Sequence, residues 1–134
     1  MGFDPRGLTS VAVDVRIDAD CGNAPRKAQI RDWLIAMAHA DSDEVGRLLS
    51  EDVTWESVGG PPTKGRSQLL DAMPRHPAKS LIVSNLLSHG KHVAAEGHTT
   101  SADDRHERFA YFFTFTGHGK SALIESVIRF AVRS

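Results

Sequence analysis

Four stretches of alternating residues, parted by short turns, fill the chain after Lys79 and constrain most strongly what it can fold into. They run over 81–88, 92–101, 107–116 and 121–132, with turns at His89-Gly90-Lys91, Ala102-Asp103-Asp104 and Gly117-His118-Gly119. Connections this short cannot carry a strand back across the sheet, so each strand pairs antiparallel with the next. The result is a meander, and one of its faces must be covered by the residues before it.

Those residues read as helices. Pro25 suits the first helical position, where its missing N–H has no partner to lose. Ile30, Trp33, Leu34 and Met37 then fall at i, i+3, i+4 and i+7, which makes one apolar stripe. Asp41 followed by Glu44 resembles a capping pair for a second, short helix carrying Val45, Leu48 and Leu49. Val53, Trp55 and Ser57 alternate with Thr54 and Glu56 as a strand, ended by Gly59-Gly60-Pro61-Pro62. Ser67 is expected to cap a third helix, which Pro74 and Pro77 stop. Further upstream, Val11, Val13, Val15 and Ile17 alternate with Ala12, Asp14, Arg16 and Asp18, a half-buried strand by its period. The expected organisation is an arm or extra strand over 1–24 and an α+β domain over 25–134.

With 134 residues the chain is long enough to bury a core without disulfide or metal staples. Sixteen Lys and Arg against 17 Asp and Glu give a net charge of −1, so no basic stripe invites nucleic acid. The lone Cys21 cannot pair within the chain, which suits a reducing cytoplasm. No apolar run approaches the roughly 18–20 residues that span a bilayer, and no signal-peptide pattern opens the chain. A cytoplasmic protein without membrane contact is expected.

From about residue 26 to 133 the chain resembles the nuclear transport factor 2-like superfamily, in its SnoaL-like branch. The resemblance lies in the helix over 30–39, in Leu48-Leu49-Ser50-Glu51-Asp52-Val53-Thr54-Trp55, and in the Gly-Pro turn reaching Gly65-Arg66. It continues in Phe113-Thr114-Phe115-Thr116-Gly117-His118-Gly119-Lys120 and in Ile124-Glu125-Ser126-Val127-Ile128. It implies a cone-shaped, cystatin-like α+β roll, a curved antiparallel sheet wrapped around the N-terminal helices with a pocket at its open end. Trp33 stands where steroid isomerases of this fold place an oxyanion-stabilising Tyr. Ser57, or Glu56 one residue away, stands at their general-base Asp, and Tyr111 at their second, protonated Asp. None of those three residues is kept, which argues against a ketosteroid isomerase. The resemblance also makes the Ala94, Glu96, His98 side of its strand the pocket side, faced by Tyr111 and Phe113, then by Ile124, Ser126 and Ile128.

On that assignment Glu96 and His98 share one strand face about 7 Å apart, where a carboxylate and an imidazole divide acid and base work. Tyr111, the only tyrosine, adds a phenol. These three are the expected catalytic residues. Trp33, Trp55, Ser57, Phe113 and Ser126 are the expected ligand contacts, with the aromatics as a wall for a flat apolar molecule. Asn85 has an amide to add, but both faces of its strand carry leucines and alternation does not settle its side. Seven histidines form no ligand set of recognisable spacing, so no metal is expected. Gly119-Lys120-Ser121 imitates a phosphate-binding loop but lacks its first glycine and its helix. No cofactor motif is present. The expectation is a pocket protein for a small apolar organic molecule. Three roles remain open: a cofactor-free acid/base enzyme (isomerase, lyase, cyclase or hydrolase), a non-catalytic binder, or a protein-interaction module. Apolar residues on both sides of the last strands add an expected homodimer through the outer sheet face.

Overall fold

A computed structural model of the chain describes residues 12–22 and 24–133. In chain order the elements are β1 (Asp14–Ile17), α1 (Pro25–Ala38), α2 (Ser42–Arg47), β2 (Leu49–Ser57) and β3 (Thr63–Lys64). They continue with α3 (Arg66–Asp71), β4 (Ser80–His89), β5 (His92–Thr100), β6 (His106–Phe115) and β7 (Ile124–Arg133). All seven strands join one curved, unclosed sheet in the order β1-β4-β5-β6-β7-β2-β3. The fold class is α+β, as expected. The β4–β7 meander is antiparallel, while β1 joins β4 and β2 joins β7 in parallel.

Pro25 opens α1, and Ile30, Trp33, Leu34, Ala36 and Ala38 are its buried residues. The helix ends where Ala40 adopts φ +56°, a left-handed conformation that L-residues other than Asn and Asp rarely take. Asp41 caps α2 by accepting from the Glu44 N–H at 3.2 Å. The third helix starts earlier than expected. Its N-cap is Gly65, not Ser67, because the Gly65 N–H donates to the Val53 carbonyl at 2.8 Å and the chain turns there at φ +99°. The two-residue β3 was not foreseen; it folds back on Thr54 and Trp55 after the Gly-Pro turn. Val11 lies outside the described residues, whereas Val13, Val15 and Ile17 are half-buried.

The core lies between α1 and the inner face of the sheet. Trp33 packs edge-on against Phe113 at 5.3 Å and Tyr111 at 6.2 Å, and its indole N–H donates to the Val45 carbonyl at 3.2 Å. Burying side chains of this size is worth about 1.5–3 kcal/mol each. Two β-bulges set which residues face that core. On β4 the pairing jumps from Val83–Gly97 to Asn85–Glu96, so Ser84 is an extra residue. Leu81 and Val83 point inward before it and Leu86 after it. On β7 the pairing jumps from Thr114–Ser126 to Phe115–Ile124, leaving Glu125 extra. Ile124 and Val127, three apart, therefore both point inward. No helix of the described residues is long and apolar enough to cross a membrane.

Candidate functional site

A cavity of about 830 Å³ opens between the inner face of the sheet, α1 and α3. That volume lies in the range of small-molecule sites, about 300–1,000 Å³. Leu34, Met37, Leu69, Met73, Leu81, Trp55 and Phe109 are among the apolar residues of its wall. Their spacing on α1, α3 and the strands is the apolar periodicity of the sequence turned toward a gap that side chains do not fill.

Part of the polar lining comes from one row of the sheet. Ala95 pairs with Tyr111, Tyr111 with Arg129, and Arg129 with Ser57, which places one residue each from β5, β6, β7 and β2 side by side. Tyr111, Arg129 and Ser57 all line the cavity. The Arg129 guanidinium reaches Glu107, with which it forms an ion pair, and the residue stands opposite Tyr111 in the β6–β7 ladder. The Arg129 and Glu107 side chains are 25% and 26% exposed, so the pair sits at a boundary where water is scarce. Burial pushes the Tyr111 phenol above its ordinary pKa, against the opposing pull of Arg129, and so keeps it a neutral O–H. For Arg129, burial acts to lower the pKa, yet Tyr111 and Glu107 together hold it above the ordinary value. Arg129 is a fixed cation. Ser57 Oγ accepts the Trp55 indole N–H at 3.1 Å, which leaves the serine O–H free to donate elsewhere.

Several expected site residues lie elsewhere. Glu96 and His98 belong to the outer face, where they pair with Ala110 and Arg108. Glu96 accepts from Asn85 Nδ2 at 2.6 Å and stands 3.5 Å from Arg108, while His98 is exposed. The inner residues of β5 are Val93, Ala95, Gly97 and Thr99, one step out of phase with the expected set. The expected Glu96–His98 centre of the pocket is therefore corrected, and Asn85 goes with it to the outer face. The reason is Gly97. The bulge at Ser84 brings the Ile82 carbonyl against it, leaving no room for a side chain on that face. Ser126 likewise faces outward, beside Thr54 and Glu125, because the bulge at Glu125 shifts β7 by one residue. Trp33 and Phe113 point inward but are packed into the core and do not line the cavity. Trp55, Ser57 and Tyr111 do line it.

Glu107 and Arg129 were missed. Their signal was present in the alternation of Glu107, Phe109, Tyr111 and Phe113, and in the step from Val127 to Arg129. Among the described residues no three His, Cys, Asp or Glu side chains converge to hold a metal ion. The Gly117–Gly119 turn has a structural partner: Arg26 donates to the Gly117 and Gly119 carbonyls at 2.9 and 3.0 Å and lies over the Phe115 ring.

Helices on one face of a curved open sheet, with a cavity between them, define an NTF2-like α+β pocket fold. The chain belongs to the SnoaL-like domain family, which matches residues 30–122. Among solved structures it is similar to a putative SnoaL-like polyketide cyclase from Shewanella denitrificans OS-217, with a TM-score of 0.70 at 8% identity over 82% of this chain and 92% of that one. An epoxide hydrolase/cyclase-like enzyme of pyran ring formation in the polyether salinomycin gives 0.66 at 18% identity, over 81% and 91%. An NTF2-like protein of unknown function from Burkholderia xenovorans LB400 gives 0.63 at 18% identity, over 81% and 85%. At such identities the likeness is one of fold. No curated protein matches the chain.

Proposed function

We propose that the cavity encloses a small, largely apolar organic molecule carrying a carbonyl-type oxygen, and that Tyr111, Arg129 and Glu107 act on it as a cofactor-independent acid/base centre. The observation that carries this reading is the meeting of Tyr111, Arg129 and Glu107 on the wall of a mainly apolar cavity. An isomerase, lyase or hydrolase needs a base for a proton and donors for the charge that develops on oxygen. Glu107 supplies the carboxylate; Arg129 and the neutral Tyr111 O–H supply the donors. When a substrate C–H proton moves to Glu107, negative charge leaves the carboxylate and appears on the substrate oxygen. Arg129 serves as counter-ion to both, so the net charge of the site does not change during the step. The likeness in fold to cyclase-type proteins is in keeping with such chemistry.

The test is to screen aryl ketones, enones and epoxides for binding by tryptophan fluorescence, since Trp55 lines the cavity and the Trp33 ring stands 6.1 Å from the Trp55 ring. Any hit is then followed for turnover. Glu107→Gln and Tyr111→Phe are expected to keep the fold and the bound ligand but to lower turnover by about 10²–10⁴-fold. Full turnover in both variants would refute the assignment. A homodimer through the outer face is the second proposal, supported by Phe112 and Phe130. They stack edge to face at 5.8 Å while remaining 51% and 43% exposed.

A further inference from the structure

The cavity mouth is asymmetric in charge, and the asymmetry says something about the far end of the ligand. The Tyr111 group is balanced: Arg129 is matched by Glu107, and Tyr111 is held neutral. Arg75, His76 and Asp103 are the exposed charged and titratable residues that line the cavity, and so mark its mouth. Asp103 is already engaged, because the Ser101 hydroxyl donates to it and Arg105 pairs with it at 3.1 Å. Neither Arg75 nor His76 forms an ion pair among the described residues.

Arg75 and His76 are also presented by a stiff piece of chain. They lie between Pro74 and Pro77, whose rings fix φ on either side. Upstream, Met73 is buried in the core; downstream, the Ala78 N–H donates to the Ala38 carbonyl at 2.7 Å and the Lys79 N–H to the Thr100 carbonyl at 2.8 Å. A four-residue strap pinned at both ends loses little further freedom when a ligand arrives, so donors placed on it bind at small entropic cost.

We infer that the cavity's ligand is amphipathic: its apolar body fills the interior, and a carboxylate at its outer end is held at the mouth by Arg75 and His76. This rests on the cavity reading above and adds a charge requirement to it. A guanidinium and an imidazole on adjacent residues together present several N–H donors to two carboxylate oxygens. The Tyr111–Arg129–Glu107 group, carrying no net charge, takes the neutral oxygen of the same molecule.

The test compares naphthaleneacetate with its methyl ester, two probes that share a body and differ in charge, by tryptophan fluorescence at fixed pH. The wild-type protein is expected to favour the acid by about fivefold or more at low salt, a preference that shrinks as salt is added. In the Arg75→Ala/His76→Ala double variant the acid-to-ester affinity ratio should fall to about one. Equal binding of acid and ester by the wild type overturns the inference and leaves the cavity reading intact. A preference that survives the double variant but is lost in Arg129→Gln also overturns it, by moving the carboxylate to the Tyr111–Arg129–Glu107 group. Binding of neither probe at millimolar concentration overturns both.

Discussion

Replacing Gly97 by alanine puts the sheet geometry to a quantitative test. A methyl group at that position overlaps the Ile82 carbonyl oxygen and stands 2.9 Å from the Ile82 carbonyl carbon and 3.1 Å from Phe109 Cζ. Backbone cannot swing aside as a side chain can, so β4 and β5 must separate locally by roughly 1 Å, against a normal strand spacing of about 4.8 Å. Losing two ladder hydrogen bonds costs about 2 kcal/mol, and displacing the Phe109 ring adds about 1 kcal/mol. Against this, alanine restricts the unfolded chain and returns about 0.4–1 kcal/mol. The net is a destabilisation of about 2–3 kcal/mol, a large fraction of the 5–15 kcal/mol typical of a whole domain. With a urea m-value of about 2 kcal/mol/M, the midpoint should fall by about 1–1.5 M at unchanged m. Gly117→Ala is the control: nothing lies within 4 Å of its would-be methyl and its φ is not in the left-handed region, so it should be neutral or slightly stabilising. A midpoint drop below about 0.3 M for Gly97→Ala would refute the claim that the Ser84 bulge makes glycine obligatory there.

The other expected outcomes are more direct. Tyr111, the only tyrosine, should titrate above its ordinary value of 10.0, so phenolate absorbance of the folded protein should rise later than that of the urea-unfolded chain; a coincident or earlier rise contradicts its burial. The sign follows for stability: the folded state holds this proton more tightly, so its contribution is intact below the unfolded pKa and is lost as pH climbs above about 10. Tyr111→Phe should flatten that alkaline loss in urea midpoints. Trp33→Phe removes the indole donor to Val45 and should cost about 1–3 kcal/mol by the same assay, with cavity ligands still bound. Phe112→Lys should convert a homodimer to a monomer by light scattering; a wild type already monomeric at micromolar concentration contradicts the outer-face interface.

What could be read from the residues alone divides along the bulges. The helical stripe of Ile30, Trp33 and Leu34, the Asp41 cap and the four-strand meander all follow from local rules that tertiary structure did not override. The inward face of β6 was also legible, because Phe109, Tyr111 and Phe113 give that strand a strong period of two. On β5 the alternation separated a small apolar set, Val93-Ala95-Gly97, from Ala94-Glu96-His98, but the pocket side was assigned by the resemblance and not by polarity, so the polar set was placed inside. On β7 the extra Glu125 reverses the phase partway along, and no local pattern announces an inserted residue. For the Arg129–Glu107 pair the alternation of each strand was legible, but the pairing between them was not. Its two residues are 22 apart in the chain, and they meet only once the shifted register is known.

Among the described residues the sheet ends, on both sides, in strands too short to be useful to a stranger. β1 covers β4 with four residues and β3 covers β2 with two. A long bare edge would offer its unpaired N–H and C=O groups to any passing extended chain, the first step toward aggregation. Over Ser80–Val83 of the ten-residue β4, β1 occupies that side of the ladder, and just beyond it the bulge at Ser84 breaks the even spacing that another strand would need. Removing β1 would leave the cavity wall of β5, β6 and β7 untouched but would uncover that stretch of β4. The small N-terminal strand thus bears less on what the protein binds than on how concentrated it can become while staying in solution.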